Sequence, residues 1–134
     1  MYSVEVRERV MIAHSLRDPF FGPAQRLHGA TYIADVAFFR AELNAQNVVA
    51  DIGAALALVR RVLAPLAYRN LDLLPEFDGR MTTTEFLCRH VFEALKGAIS
   101  AGALGEDGRA LARLRITLQE SDIARASYEG PLGG

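Results

Sequence analysis

The beginning of the chain alternates between apolar and polar side chains. Apolar residues take most even positions over residues 2–14, and polar residues take most of the odd positions up to Arg9. A period of two is typical of a β-strand with one buried face. Residues 17–29, which hold two prolines and two glycines, are predicted to form a loop. A second strand is predicted over residues 31–40, which are rich in aromatic and β-branched side chains.

Two later segments repeat apolar residues every three to four positions and are predicted to be helices. Asp51 is a suitable N-cap for the first helix, and Pro65 should end it, because proline disfavours a helical conformation in the residue before it. Thr82 stands three residues before Glu85, which is the capping-box spacing and predicts the start of the second helix. The glycine-containing residues 102–108 should close that helix.

The last part of the chain returns to alternation. Residues 113–119 predict a third strand with one exposed face, and residues 123–128 predict a short fourth strand. The order is therefore ββααββ. This order predicts an α+β fold in which two helices cover one face of a four-stranded antiparallel sheet. We expect one domain over residues 1–130 and a frayed C-terminal tail over residues 131–134.

The second face of that sheet has no predicted cover. Ile33, Phe38 and Phe39 in the second strand suggest burial on both faces. Because two helices can cover only one face, the sequence predicts that the protein self-associates.

Composition restricts the classes of function. The chain has 134 residues, 15 Lys plus Arg against 16 Asp plus Glu, and a formal net charge of −1 at pH 7. This balance argues against a nucleic-acid partner, since phosphate binding draws on basic residues.

No apolar run is long enough to cross a membrane, and residues 1–10 carry charges where a signal peptide needs apolar residues. The single cysteine, Cys88, excludes an internal disulfide and is expected in the core. We therefore expect a cytoplasmic protein.

Five short segments carry candidate chemistry. They are His14, residues 28–32 (HGATY), residues 65–72 (PLAYRNLD), residues 82–85 (TTTE) and residues 119–122 (QESD). Together with residues 47–52 (NVVADI) and 128–130 (YEG), their order and spacing resemble the 6-pyruvoyl- and 6-carboxy-tetrahydropterin synthases. The resemblance implies the tunnelling fold, in which ββααββ subunits join their sheets into a barrel. It also implies a homo-oligomer, usually a hexamer of two stacked trimers, with active sites between subunits.

The resemblance puts the family's zinc site in question. Members bind a catalytic zinc with one histidine at the end of the first strand and two histidines in a His-Gly-His segment. His14 and His28 match the first two ligands, but Ala30 occupies the third position. Catalytic zinc normally needs three protein ligands and an open position. We therefore expect no zinc or other cofactor, with His14 and His28 as ordinary cavity histidines.

The family's proton-transfer residues are also replaced. The resemblance places a catalytic cysteine at Ala24 and a catalytic Asp-His pair at Ala67 and Tyr68. Neither alanine can exchange a proton, so no member of the usual triad remains. The ordinary synthase reaction is therefore predicted to be absent, although Tyr68 offers a phenol in place of the histidine.

The residues that recognise the heterocycle are kept. Glu120, followed by Ser121, matches the glutamate that anchors the pterin in the family. A carboxylate can accept two parallel hydrogen bonds from a ring N–H and an exocyclic amine. Thr83 and Thr84 match threonines that line the same pocket. Glu85 matches the glutamate after them, although a role as a helix cap explains it better than a ligand contact does.

Three functions stay open from the sequence. The first is a homolog that binds a pterin-like small molecule without catalysing the synthase reaction. The second is an enzyme with a different, metal-independent reaction on a similar ring, in which Tyr68, His28 or Glu85 acts as acid or base. The third is a structural or regulatory subunit with a vestigial pocket.

Overall fold

One five-stranded sheet and two α-helices make up the protein in a computed structural model that describes residues 1–133. The elements are β1 (Tyr2–His14), β2 (His28–Arg40), α1 (Ile52–Leu63), β3 (Arg69–Asn70), α2 (Thr84–Ser100), β4 (Arg113–Ser121) and β5 (Ala124–Pro131). The strand order is β3-β1-β2-β4-β5. The predicted α+β class is confirmed, and the four long strands are antiparallel as predicted. The fifth strand, β3, was not predicted; it pairs parallel with Ile12 and Ala13 at the end of β1.

β1 and β2 form an unbroken antiparallel ladder of 13 residues each. The ladder runs from the pair of Tyr2 with Arg40 to the pair of His14 with His28. β2 therefore begins three residues earlier than predicted, because pairing with the end of β1 continues through Gly29. Part of the predicted loop between the strands is a 3₁₀ segment, Pro19–Gln25.

α1 begins and ends close to where the sequence predicts. The Asp51 carboxylate accepts a hydrogen bond from the backbone N–H of Ala54, which is the expected N-cap contact. The helix ends at Leu63, two residues before Pro65.

The predicted start of α2 is wrong by one residue. The N-cap is Thr83, whose hydroxyl accepts from the backbone N–H of Phe86, and the helix begins at Thr84. Thr82 is 2% exposed and its hydroxyl pairs with His14 instead. Three consecutive threonines offer three candidate caps, and burial of the first leaves the second to cap the helix. Glu85 is therefore not part of a capping box with Thr82.

The core lies between the helices and one face of the sheet. Even-numbered residues of β1, β2 and β4 point to this side, and α2 covers β4 and β5 while α1 covers β1. Cys88 of α2 is fully buried here, as predicted, and its thiol donates to the carbonyl of Ala126. Burial raises the pKa of this thiol to about 11, so it stays protonated.

The uncovered face of the sheet is charged, so the expectation of apolar burial on both faces needs correction. Phe38 faces the helices, and only Ile33 and Phe39 of the three quoted residues lie on the uncovered face. This face carries the ion pairs Arg7–Asp35 (2.7 Å), Arg113–Glu129 (2.7 Å), Arg115–Glu129 (3.7 Å) and Arg115–Glu5 (3.8 Å). A face of this kind favours contact with water over an apolar partner surface.

The C-terminal residues are more ordered than a frayed tail. β5 continues to Pro131, and the backbone N–H of Leu132 donates to the carbonyl of Ala112 at 3.0 Å. Gly134, the last residue of the predicted tail, lies outside the described residues.

Within residues 1–133 there is no helix with the length and apolar character to cross a membrane.

Candidate binding site

A cavity of about 280 Å³ opens where the ends of four elements meet. These are the end of β1, the start of β2, the start of α2 and the end of β4. We call it the site cavity; its lining residues are His14, Leu16, Phe21, Ala24, His28, Tyr32, Thr83, Thr84, Glu85 and Glu120. The volume is near the lower end of the range of about 300–1,000 Å³ for small-molecule sites. Seven of the ten site positions considered in the sequence analysis line this cavity. The other three, Ala30, Ala67 and Tyr68, are not among its lining residues.

The two histidines of the site cavity lie side by side at the end of the β1–β2 ladder. The ring centroids of His14 and His28 are 4.6 Å apart with an edge-to-face geometry. Nδ1 of His14 pairs with the Thr82 hydroxyl at 3.1 Å, and Nδ1 of His28 donates to the carbonyl of Arg26 at 2.8 Å. Burial lowers the pKa of His14, and the neighbouring His28 lowers it further. His14 is therefore neutral at pH 7.

His14, His28 and their neighbours do not fit a catalytic zinc site. Ala30 lies in β2 opposite Ile12, packs against the core and has no ligand atom. Across residues 1–133 no three His, Cys, Asp or Glu side chains are grouped so that they could hold a metal ion. Two imidazoles fall short of the three protein ligands of a catalytic zinc. That the protein lacks zinc stays a prediction.

Glu120 lies on the helix side of the sheet because it shares its strand face with Leu114, Ile116 and Leu118. Gln119 pairs with Arg125 and Ser121 pairs with Ala124, so Glu120 has no partner across the ladder. Bulges of this kind are common beside functional sites. The hydroxyl of Thr84, the first residue of α2, donates to Oε2 of Glu120 at 3.4 Å. The carboxylate is thus held at the N-terminus of α2 with acceptor capacity to spare.

Tyr32 is a site residue that sequence reasoning missed. Its side chain is 1% exposed and its hydroxyl lies 3.4 Å from that of Thr84. Burial raises the pKa of Tyr32, so the phenol keeps its proton. Because the single hydroxyl hydrogen of Thr84 goes to Glu120, Tyr32 must be the donor to Thr84. The signal was present, since Tyr32 shares its strand face with His28.

The remaining lining residues have simple roles. The side chain of Thr83 caps α2, and Glu85 lies in the first turn of that helix and is exposed. Ala24 presents a methyl group to the site cavity, and its carbonyl accepts from the backbone N–H of Leu16 at 3.0 Å. A methyl group cannot transfer a proton.

Ala67 and Tyr68 do not line the site cavity. Ala67 packs against the core, whereas the Tyr68 side chain is 83% exposed. The backbone of Tyr68 is left-handed, with φ of 59°, and its N–H donates to the carbonyl of Met11 at 2.7 Å. A left-handed non-glycine residue costs roughly 1–2 kcal/mol. The fold therefore holds the phenol outward at an energetic cost.

One family model matches nearly the whole chain, and several solved structures share its fold. The family model described as 6-pyruvoyl tetrahydropterin synthase matches residues 3–131. A Caenorhabditis elegans 6-pyruvoyl tetrahydropterin synthase structure is 22% identical, with a TM-score of 0.78, covering 96% of this chain and 95% of that chain. The Plasmodium vivax synthase is 16% identical, with a TM-score of 0.76 and coverages of 98% and 99%. An uncharacterised protein from Wolinella succinogenes is 17% identical, with a TM-score of 0.69 and coverages of 95% and 97%. No sequence among the curated proteins matches the chain.

Proposed function

The chain belongs to the 6-pyruvoyl tetrahydropterin synthase family, and from this premise we propose that its site cavity binds a pterin-like heterocycle without performing the zinc-dependent synthase reaction. The observation that carries the proposal is the placement of Glu120. Its position at the end of β4 puts this carboxylate beside the hydroxyl of Thr84, in the wall of a cavity of about 280 Å³.

The chemistry of Glu120 suits the amino-oxo edge of such a ring. A carboxylate accepts two parallel hydrogen bonds from a ring N–H and an exocyclic amine. Thr84 uses only part of the acceptor capacity of Oε2, and Thr83 lies beside it in the cavity wall. Leu16 and Phe21 add apolar surface for the faces of the ring.

The absence of synthase activity is proposed from what the cavity lacks among the described residues. Ala24 supplies no thiolate, and the two histidines fall short of a zinc site. Neither a Lewis acid nor an acid–base pair of the family type would then act on the side chain of the ring.

A second candidate function rests on Tyr68. Its left-handed backbone holds an exposed phenol away from the cavity of its own subunit, where a second copy of the chain could meet it. An enzyme with a different, metal-independent reaction would use this phenol as acid or base, with His28 or Glu85 as partner. Loss of turnover in Tyr68→Phe with unchanged ligand binding would favour this candidate.

We also propose that the chain forms a homo-oligomer, and specifically a hexamer as the family resemblance implies. Within residues 1–133, the outer edge of β5 and most of the outer edge of β1 have no strand partner. Free strand edges favour pairing with another chain. Light scattering on the purified protein tests this proposal: six times the subunit mass is expected, and a monomer would contradict it.

Calorimetric titration with neopterin tests the binding function. We expect saturable binding to the wild type and a loss of at least roughly tenfold in affinity for Glu120→Gln, because the amide cannot accept both hydrogen bonds. Glu106→Gln is the matched control, since the Glu106 side chain is 85% exposed and far from the cavity residues in sequence. A stable oligomer that binds no pterin would instead support the structural-subunit hypothesis.

A further inference from the structure

The connection between β1 and β2 supplies one side of the site cavity. It spans residues 15–27, and Leu16, Phe21 and Ala24 of this β1–β2 connection are lining residues. No residue of its 3₁₀ segment, Pro19–Gln25, is buried. Segments with few buried apolar contacts open easily unless other contacts hold them. The shape of this side of the cavity therefore depends on hydrogen bonds.

Hydrogen bonds within the β1–β2 connection join its lining residues to one another. The backbone N–H of Leu16 donates to the carbonyl of Ala24 at 3.0 Å. The backbone N–H of Asp18 donates to the carbonyl of Leu16 at 2.8 Å, and that of Phe21 donates to the carbonyl of Asp18 at 3.0 Å. The lining residues thus form one hydrogen-bonded unit, and its position follows that of Leu16.

Asp72 ties this unit to the rest of the fold. Its Oδ1 accepts from the backbone N–H of Ser15 at 3.2 Å, and its Oδ2 accepts from the Ser15 hydroxyl at 2.5 Å. Nε of Arg17 donates to the same hydroxyl at 3.1 Å. Hydrogen bonds to a carboxylate are roughly twice as strong as those between neutral groups. Within residues 1–133, no other hydrogen bond joins the β1–β2 connection to a part of the chain beyond the two strands that it links.

Asp72 is itself held in a fixed place. It lies in a short 3₁₀ turn, Leu71–Leu73, directly after β3, and its backbone N–H donates to Oδ1 of Asn70 at 3.0 Å. Leu71 beside it is fully buried, and Asn70 pairs with Ala13 of β1. The side chain of Asp72 is only 19% exposed. The carboxylate is therefore a rigid support for a segment that has few others.

From these contacts we infer that Asp72 is a positioning residue for ligand binding: through Ser15 it holds the lining residues of the β1–β2 connection in place, although it does not line the site cavity itself. The inference rests on the proposed pterin-binding function and adds a residue to that same site. A cavity side that is loose in the free protein has to be ordered when the ligand binds, and this ordering lowers the affinity.

Hydrogen–deuterium exchange and calorimetric titration with neopterin, both on the purified oligomer, test the inference. In Asp72→Ala the backbone N–H of the buried Ser15 loses its acceptor. We expect the backbone amides of residues 15–25 to exchange at least roughly fivefold faster, and neopterin to bind at least roughly fivefold more weakly. Asp72→Asn keeps an acceptor for that N–H and should regain most of the affinity.

Two further variants separate positioning from general stability. Asp107→Ala is the matched control, because its carboxylate also accepts from a neutral side chain, Asn44 (2.9 Å), and pairs with an arginine, Arg40 (3.0 Å), but at the opposite end of β2. It should change neither exchange in residues 15–25 nor neopterin affinity. Ser15→Ala removes only the hydroxyl and should change both in the direction of Asp72→Ala, by a smaller factor. It decides the test if Asp72→Ala does not assemble.

The remaining outcomes overturn the inference. Faster exchange with unchanged affinity would show that the ligand does not depend on the β1–β2 connection. Unchanged exchange would show that Asp72 is not what holds this segment. An equal loss of affinity in Asp107→Ala would show that general destabilisation is the cause. If the wild type itself binds no neopterin while the oligomer is intact, the proposed function fails and this inference fails with it.

Discussion

Nδ1 of His14 lies 3.1 Å from the hydroxyl of Thr82, although 68 residues separate the two in the chain. Both side chains are buried, at 3% and 2% exposure. The contact joins the end of β1 to the residue that precedes the cap of α2. It therefore links the His14–His28 side of the site cavity to the first turn of α2, which carries Thr84 and Glu85.

Replacing Thr82 should destabilise the protein. Thr82→Val keeps the shape of the side chain but leaves Nδ1 of His14 buried without a partner, which costs about 1–3 kcal/mol. Urea denaturation at neutral pH measures the free energy of unfolding. Thr82→Ser keeps the hydroxyl and should lose much less, so equal losses in the two variants would show that packing, rather than the hydrogen bond, matters at this position.

The three threonines also mark where sequence reasoning stops. Spacing alone identified a helix start at residues 82–85, and the helix does start there. Which threonine caps it depends on burial of Thr82 against His14, a contact that no local pattern contains. Similarly, alternation predicted β4, but the contact of Glu120 with Thr84 joins residues that are 36 positions apart in the chain. Long-range contacts thus decide details that local periodicity leaves open.

The stability of the protein should fall as the pH drops below neutral. Burial lowers the pKa of His90, whose ring packs against Phe77 with centroids 4.8 Å apart, and it also lowers the pKa of His14. A histidine with a lowered folded-state pKa takes up its proton first in the unfolded chain, so stability is lost as pH falls through about 6.5. Urea denaturation between about pH 7.5 and pH 5.5 measures this loss, and that range precedes most carboxylate titration.

His90→Leu isolates part of that effect. Leucine fills the same half-buried position without a titrating group, so the free energy of unfolding should depend less steeply on pH than in the wild type. The remaining slope reports His14, whose contact with Thr82 is unchanged. Identical slopes in wild type and variant would contradict the assignment to His90.

Restoring a third imidazole should create a zinc site. Ala30 lies two residues from His28 on the same side of β2, so Ala30→His adds a ligand beside the existing pair. Mass spectrometry of protein purified without chelators should find close to one zinc per subunit in the variant and far less in the wild type. Stoichiometric zinc in the wild type would refute our interpretation of Ala30 and reopen metal-dependent chemistry.

The hydroxyl of Tyr32 should strengthen ligand binding although it does not reach the carboxylate itself. It donates to Thr84, whose hydrogen is thereby directed to Glu120, so Tyr32→Phe releases Thr84 to rotate and loosens the anchor. We expect neopterin affinity to fall roughly threefold to tenfold, in keeping with one neutral hydrogen bond of about 1 kcal/mol. Tyr128→Phe is the control, since Tyr128 packs on Phe92 outside the site cavity. A parallel thermal melt separates lost stability from lost binding. If Tyr32→Phe binds neopterin as the wild type does, the Tyr32–Thr84–Glu120 chain has no part in holding the ligand.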